Sequence, residues 1–205
     1  MHIVDGALAN EVVIGGAVLA AGGIALGLRQ LPLERIPAAG ILSASFFVAS
    51  LIHVPIGPSS VHLILNGLAG IVLGWAAFPA LFVGLLLQAV FFGFGGLTVL
   101  GVNTFNIAMP AVIVHVLCRR GILRCGPATA ALWAGIGGAL AIALTTGCVA
   151  LALMLSGDAF IPATKLVFLA HLPVMGIEGL LTAAAVSLAV RVKPELFTTL
   201  KGAPA

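Results

Sequence analysis

The chain has 205 residues, 61% of them hydrophobic and only 7% charged, with a mean hydropathy of +1.27. A soluble domain carries about 25% charged residues, so this composition excludes a water-soluble globular domain and makes the bilayer the solvent. The net charge of +3 and pI near 9.1 do not point to nucleic acid, because the basic residues sit in loops and report orientation.

The first basic residue is Arg29, whereas a cleavable signal peptide opens with a positive region. Met1 and His2 are therefore expected in the mature protein. Apolar runs interrupted by Pro, Gly or charge then predict an all-α integral membrane protein of about seven helices. The spans fall near 8–28, 37–54, 60–76, 79–98, 105–118, 129–155 and 166–190, each close to the length of about 20 residues that crosses a bilayer. Arg29 and Pro37 bracket the first loop, Pro55-Ile56-Gly57-Pro58 turns after the second span, and Pro79 opens the fourth. Residues 1–205 read as one membrane domain, with no long-period repeat.

With seven spans, Arg29, Arg35, Arg119, Arg120, Arg124, Arg191, Lys193 and Lys201 fall on one side and only Lys165 on the other. Cytoplasmic loops carry the Lys/Arg excess, which places the N-terminus outside and the C-terminus in the cytoplasm. In the first span, Ala17, Ala21 and Ala25 form a small-residue stripe suited to close packing against a helix of this chain or of another subunit. Cys118, Cys125 and Cys148 form no CxxC pair and read as packing residues.

The chemistry concentrates on the outer side. A free α-amine at Met1, the His2 amide and the His2 ring can chelate one ion through adjacent rings, provided the amide loses its proton. Nitrogen sites of that kind suit Ni(II) or Cu(II), and their affinity falls with pH. The alternative is an exposed terminus without a role. His62, just after Ser59-Ser60, is an intramembrane ionisable residue, and such residues are expensive and face the bundle interior; it is a further ligand or an interhelical hydrogen-bonding group. His53 reads as an interfacial residue or spare ligand, and His115, near Arg119, as structural. His171 and Glu178 lie seven residues apart and share a face if the helix runs through Pro173. They serve either to fix the bundle or as an ionisable site. The sequence contains no HExxH, no GxxxxGK[ST] and no GxSxG, so any ATP hydrolysis belongs to another chain.

Four blocks carry a family resemblance: Met1-His2-Ile3 with Asp5-Gly6; Pro58-Ser59-Ser60-Val61-His62-Leu63; Gly101 with Asn103-Thr104-Phe105-Asn106; and His171 with Pro173 followed by Glu178-Gly179. In this order they resemble the CbiM/NikM family, the substrate-specific subunits of energy-coupling-factor transporters for cobalt and nickel. The resemblance implies a seven-helix fold whose extra first helix sends its N-terminus into the centre. It implies metal ligation by Met1, His2 and His62, with Ser60, Asn103 and Asn106 orienting those ligands or the loop above them. His53, His171 and Glu178 receive no assigned role. It also implies a transmembrane coupling subunit, cytoplasmic ATPase subunits and a small accessory membrane protein as partners, in a bacterial cytoplasmic (inner) membrane.

Because the sequence stops soon after the seventh span, the CbiM type is favoured over forms fused to the accessory protein. The expected cargo is Co(II) for cobalamin synthesis, with Ni(II) the alternative; no resident cofactor and no enzymatic activity are expected. A stand-alone metal carrier or channel, or a membrane enzyme built on His171 and Glu178, are the competing readings.

Overall fold

The structure, a computed structural model, describes residues 2–51, 53–56, 59–124 and 126–198. The readings placed on Met1, Gly57, Pro58, Cys125 and Lys201 lie outside the described residues. Helices α1 (Asn10–Arg29) and α2 (Ile36–Ala49) are followed by a hairpin of β1 (His53–Ile56) and β2 (Ser59–His62). Then come α3 (Asn66–Leu73), α4 (Ala77–Phe92), α5 (Leu100–Arg124), α6 (Pro127–Ser156), α7 (Ile161–Val192) and the short α8 (Glu195–Thr198). Five segments are long and apolar enough to cross a membrane: Asn10–Arg29, Asn66–Phe92, Leu100–Leu123, Pro127–Ser156 and Asp158–Val192.

The expected all-helical chain is corrected at the second and third spans. The helix predicted over 37–54 stops at Ala49, and residues 53–56 and 59–62 form an antiparallel pair with His53 opposite His62 and Pro55 opposite Ser60. Pro55 and Pro58 cannot supply the N–H groups a helix needs, and β-branched Val54 and Val61 suit a strand. His62 is thus a strand residue, not one turn into a helix. At 14 residues, α2 is only about 21 Å long. The fifth helix is longer than the expected 105–118 and contains Pro110.

The segment Asn66–Phe92 is a down-and-back pair. Asn66 donates to the Ile107 carbonyl, Gly70 packs on Ala111 and Gly74 on His115, so α3 runs alongside α5 in the same direction. In α1, Gly16 meets Val102, Gly23 meets Phe78 and Gly27 meets Trp75 and Pro79, so α1 runs with α5 and against α4. The reversal falls at Gly74, whose φ of 59° is a conformation that glycine adopts freely.

Within this chain the buried residues of α1 are Ala20, Gly23 and Gly27, while Ala17, Ala21 and Ala25 are exposed, Ala17 lying against Gly101 of α5. The glycines form the packing face inside the chain because they allow close approach. The same device joins α6 to α7, where Gly135 and Gly138 lie against Gly179 and Thr182.

Among the described basic residues, Arg35 and Arg119 lie at one end of the bundle, near His115 and α8. Arg35 donates to the carbonyls of Val72 (3.3 Å) and Leu196 (3.4 Å), tying the α1–α2 connection to α3 and to the chain after α7. The N-terminal segment lies at the opposite end, where Ala9 N–H donates to Ser156 Oγ.

Candidate metal centre

His2 and His62 are both 4% exposed, and their rings stack with centroids 4.7 Å apart and planes 21° from parallel. An N-terminal residue buried this deeply needs its main chain satisfied, and the anchors are specific. His2 N–H donates to Ser60 Oγ (3.4 Å). Asn103 Oδ1 accepts the Ile3 N–H at 3.0 Å while its Nδ2 donates to the Ile3 carbonyl at 3.0 Å. Asp5 N–H donates to the Gly95 carbonyl at 2.8 Å, and Asp5 Oδ1 accepts from Thr98 Oγ1 and from the Val99 N–H. Gly96, at φ +110°, passes so close that any side chain would overlap the Asp5 carboxylate.

Strand alternation puts Ser60 and His62 on one face of the hairpin, and cross-strand pairing puts His53 on the same face. His53 packs edge-on against Phe94 with centroids 4.2 Å apart, and Phe94 in turn lies 6.3 Å from His2. His62 Nδ1 is 2.8 Å from the Leu63 carbonyl. A carbonyl only accepts, so Nδ1 carries the hydrogen and Nε2 carries the lone pair. Burial, the largest cause, holds the His2 imidazole well below the usual value of 6.5. That ring is therefore neutral near pH 7, as a metal ligand must be.

The hairpin is held from below. The helix α7 runs through Pro173, so His171 and Glu178 do share a buried face. The Glu178 carboxylate accepts the Ile64 N–H at 2.5 Å and the Leu65 N–H at 2.9 Å and 3.1 Å. Leu65 has φ +55°, a left-handed conformation costing a non-glycine residue about 1–2 kcal/mol. Glu178 thus clamps a strained turn three residues beyond His62. His171 donates through Nδ1 to the Val167 carbonyl at 2.6 Å, and its Nε2 is buried without a hydrogen-bond partner.

Asn106, one turn beyond Asn103, is buried with its Nδ2 unpartnered. His115 is at the other end, bonded to the Gly70 carbonyl. Sequence reasoning missed the roles of Phe94, Gly95, Gly96 and Thr98, and missed Gln88. The available signal for Gln88 was its standing as the one amide in the apolar run of α4, since polar groups in spans are expensive. Among the described residues no group of three or more His, Cys, Asp or Glu side chains could hold a metal ion.

Residues 2–196 match the family described as cobalt uptake substrate-specific transmembrane region, CbiM. The chain belongs to that family. It is 42% identical over 198 residues to a Haemophilus influenzae protein named for metal transport, covering 96% of each. It is 40% identical over 99 residues to the fused nickel transport protein NikMN of Rhodobacter capsulatus, covering 45% of this chain and 28% of that one. Its structure resembles the crystal structure of a transition metal transporter with a TM-score of 0.77 at 26% identity, covering 96% of this chain and 93% of the other. The CbiM family and its structural neighbours are transporters, not enzymes, and the chain is a multi-pass membrane protein.

Proposed function

We propose that this chain is the substrate-binding subunit of an ATP-driven uptake transporter, taking Co(II) from the outer face for cobalamin synthesis. The observation that supports this reading is the buried His2–His62 stack at the end of a main chain tied down by Asn103 and Asp5. The ion is held by the Met1 amine, the His2 amide nitrogen, His2 Nδ1 and His62 Nε2. Ser60 Oγ accepts the His2 N–H in the metal-free chain; the ion replaces that hydrogen, and the amide proton is released to water. Asn103 orients the strand that carries His2.

The chain crosses the bacterial cytoplasmic membrane seven times as a single domain, with the N-terminus outside and the C-terminus inside. The hairpin with α3 supplies one crossing, α4 supplies the next, and α2 completes the set. The end carrying Arg35, Arg119 and α8 faces the cytoplasm, in line with the Lys/Arg bias. There it meets a transmembrane coupling subunit, ATPase subunits and a small accessory membrane protein, which supply the energy.

Ni(II) is the second reading, favoured by the nickel transport name of the Rhodobacter relative and by the tighter binding of Ni(II) than Co(II) at nitrogen sites. The test is metal content and Co(II)/Ni(II) competition on purified protein with a native N-terminus, beside protein carrying an N-terminal extension. One bound ion in the native form and none in the extended form supports the amine site, and the competition ranks the metals. Equal binding by both forms, or tight binding by His62→Ala, would sink the assignment. ATP-dependent uptake only when partner subunits are co-reconstituted supports the energy-coupled mechanism; uptake by the chain alone would replace it with a stand-alone carrier.

A further inference from the structure

Gln88 is fully buried near the end of α4, and its amide orientation is determined by its partners. Nε2 donates to the Phe47 carbonyl at 3.2 Å and to Ser50 Oγ. Because a carbonyl can only accept, the nitrogen must lie on that side and Oε1 on the other. Gln88 Oε1 is buried with no hydrogen-bond partner. Buried acceptors left without a donor are uncommon and costly.

A second orphan belongs to the metal centre. His2 Nε2 is buried with no partner, and the end of α4 lies at this ring: the Gln88 main-chain carbonyl accepts the Phe94 N–H at 3.3 Å, and the Phe94 ring is 6.3 Å from that of His2. Two other orphans are unsuited to this ring: Asn106 Nδ2 is a donor, and Ser59 Oγ is on the hairpin face opposite Ser60 and His62.

Chelate geometry says which ring nitrogen is which. An ion on the His2 amide nitrogen closes a six-membered ring through Nδ1 and a strained larger ring through Nε2. Metallation at Nδ1 leaves Nε2 as N–H, and a metal-bound imidazole almost always gives its remaining N–H to an acceptor. We infer that Gln88 is the positioning residue of the metal site, its Oε1 accepting the His2 Nε2–H when the ion is bound. This rests on the N-terminal site proposed above. Phe47 and Ser50 hold the amide so that the acceptor is presented without rearrangement, and the bond raises the donor strength of Nδ1.

The experiment compares wild type, Gln88→Met, Gln88→Glu and His2→Ala, each with a native N-terminus, by Ni(II) and Co(II) competition binding. The planar Ni(II) form, being diamagnetic, is also examined by nitrogen-15 NMR of labelled histidine. Gln88→Met should bind 10–100-fold more weakly, and Gln88→Glu, which keeps an acceptor oxygen there, should recover most of the loss. In Ni(II)-loaded wild type, His2 Nε2 should carry a hydrogen that exchanges slowly with water; in Gln88→Met that exchange should quicken. Wild-type affinity in Gln88→Met, or an Nδ1-protonated His2 in the loaded wild type, would overturn the inference. The NMR result on wild type decides the matter even if Gln88→Met fails to fold. Retention of metal by His2→Ala would instead remove the parent site. Loss in His2→Ala with none in Gln88→Met would remove only the role of Gln88.

Discussion

The Asn103 side chain pairs with the Ile3 peptide as a neighbouring strand would, accepting its N–H and donating to its carbonyl, both at 3.0 Å. One amide on α5 thereby completes the backbone of a segment that enters the bundle without secondary structure of its own. Asn103→Leu removes both bonds and leaves a buried N–H and C=O, each costing about 1–3 kcal/mol. The expected result is a loss of metal affinity on the order of 10–100-fold, with faster proteolysis of the N-terminus in limited digestion. Unchanged affinity would mean that the segment is held elsewhere.

Gly96 tests the same anchor sterically. Its φ of +110° and its contact with Asp5 leave no room for a methyl group. Gly96→Ala should unseat Asp5 from Thr98 and Val99 and weaken metal binding, while the α6–α7 core, remote from this turn, stays folded by circular dichroism. A protein with native affinity would show that the Asp5 contact is dispensable.

Glu178 links α7 to the turn after His62 through the Ile64 and Leu65 N–H groups. Glu178→Ala leaves those buried donors unpaired, and breaking hydrogen bonds to a charged group costs about 1.5–3 kcal/mol. Thermal unfolding in detergent should occur at lower temperature, with metal affinity falling as well because the same turn orients His62. In the Glu178→Ala background, Leu65→Gly should return part of the stability by relieving the left-handed strain; a further loss would show that the Leu65 side chain outweighs it.

The pH dependence follows from burial. His2 has a folded pKa well below its usual 6.5, so below that pH the unfolded chain takes up a proton that the folded chain does not. Metal-free stability should be level above about pH 6.5 and should fall as pH drops below it, until the folded ring itself protonates. Replacement of His2 by Asn should flatten that decline; an equal slope in the variant would place its origin in other groups. For metal binding, the already neutral His2 ring adds little proton competition near neutrality. A decline in affinity between about pH 8 and 6.5 would therefore report the α-amine, whose ordinary pKa is about 7.7–8.0, and the amide proton.

Much of this arrangement was legible beforehand, and the reasons are local. Apolar runs, prolines and Lys/Arg placement mark where helices begin and end, because the bilayer enforces long satisfied helices. The Pro-rich 55–58 stretch marked a turn, but not the hairpin, since strand pairing depends on a partner surface that local pattern does not contain. His2 and His62 stood out as costly residues at one end of the membrane. Local pattern did not pair them, because 60 positions separate them; the family resemblance implied the pair, and the folded chain stacks their rings.

By itself, the sequence determined the membrane class, the positions of the long helices, the placing of Arg35 and Arg119 at one end and, through four spaced blocks, the family. Composition and periodicity are local quantities, and the bilayer converts them directly into spans. Tertiary structure alone decided the reversal at Gly74, the clamp of Glu178 on a strained Leu65, and the pairing of Asn103 with Ile3. It also decided which polar atoms are left without partners beside His2. Each of these is a contact between segments far apart in the chain, and hydrogen-bond satisfaction in a buried space is a property of the assembled neighbours rather than of any one residue.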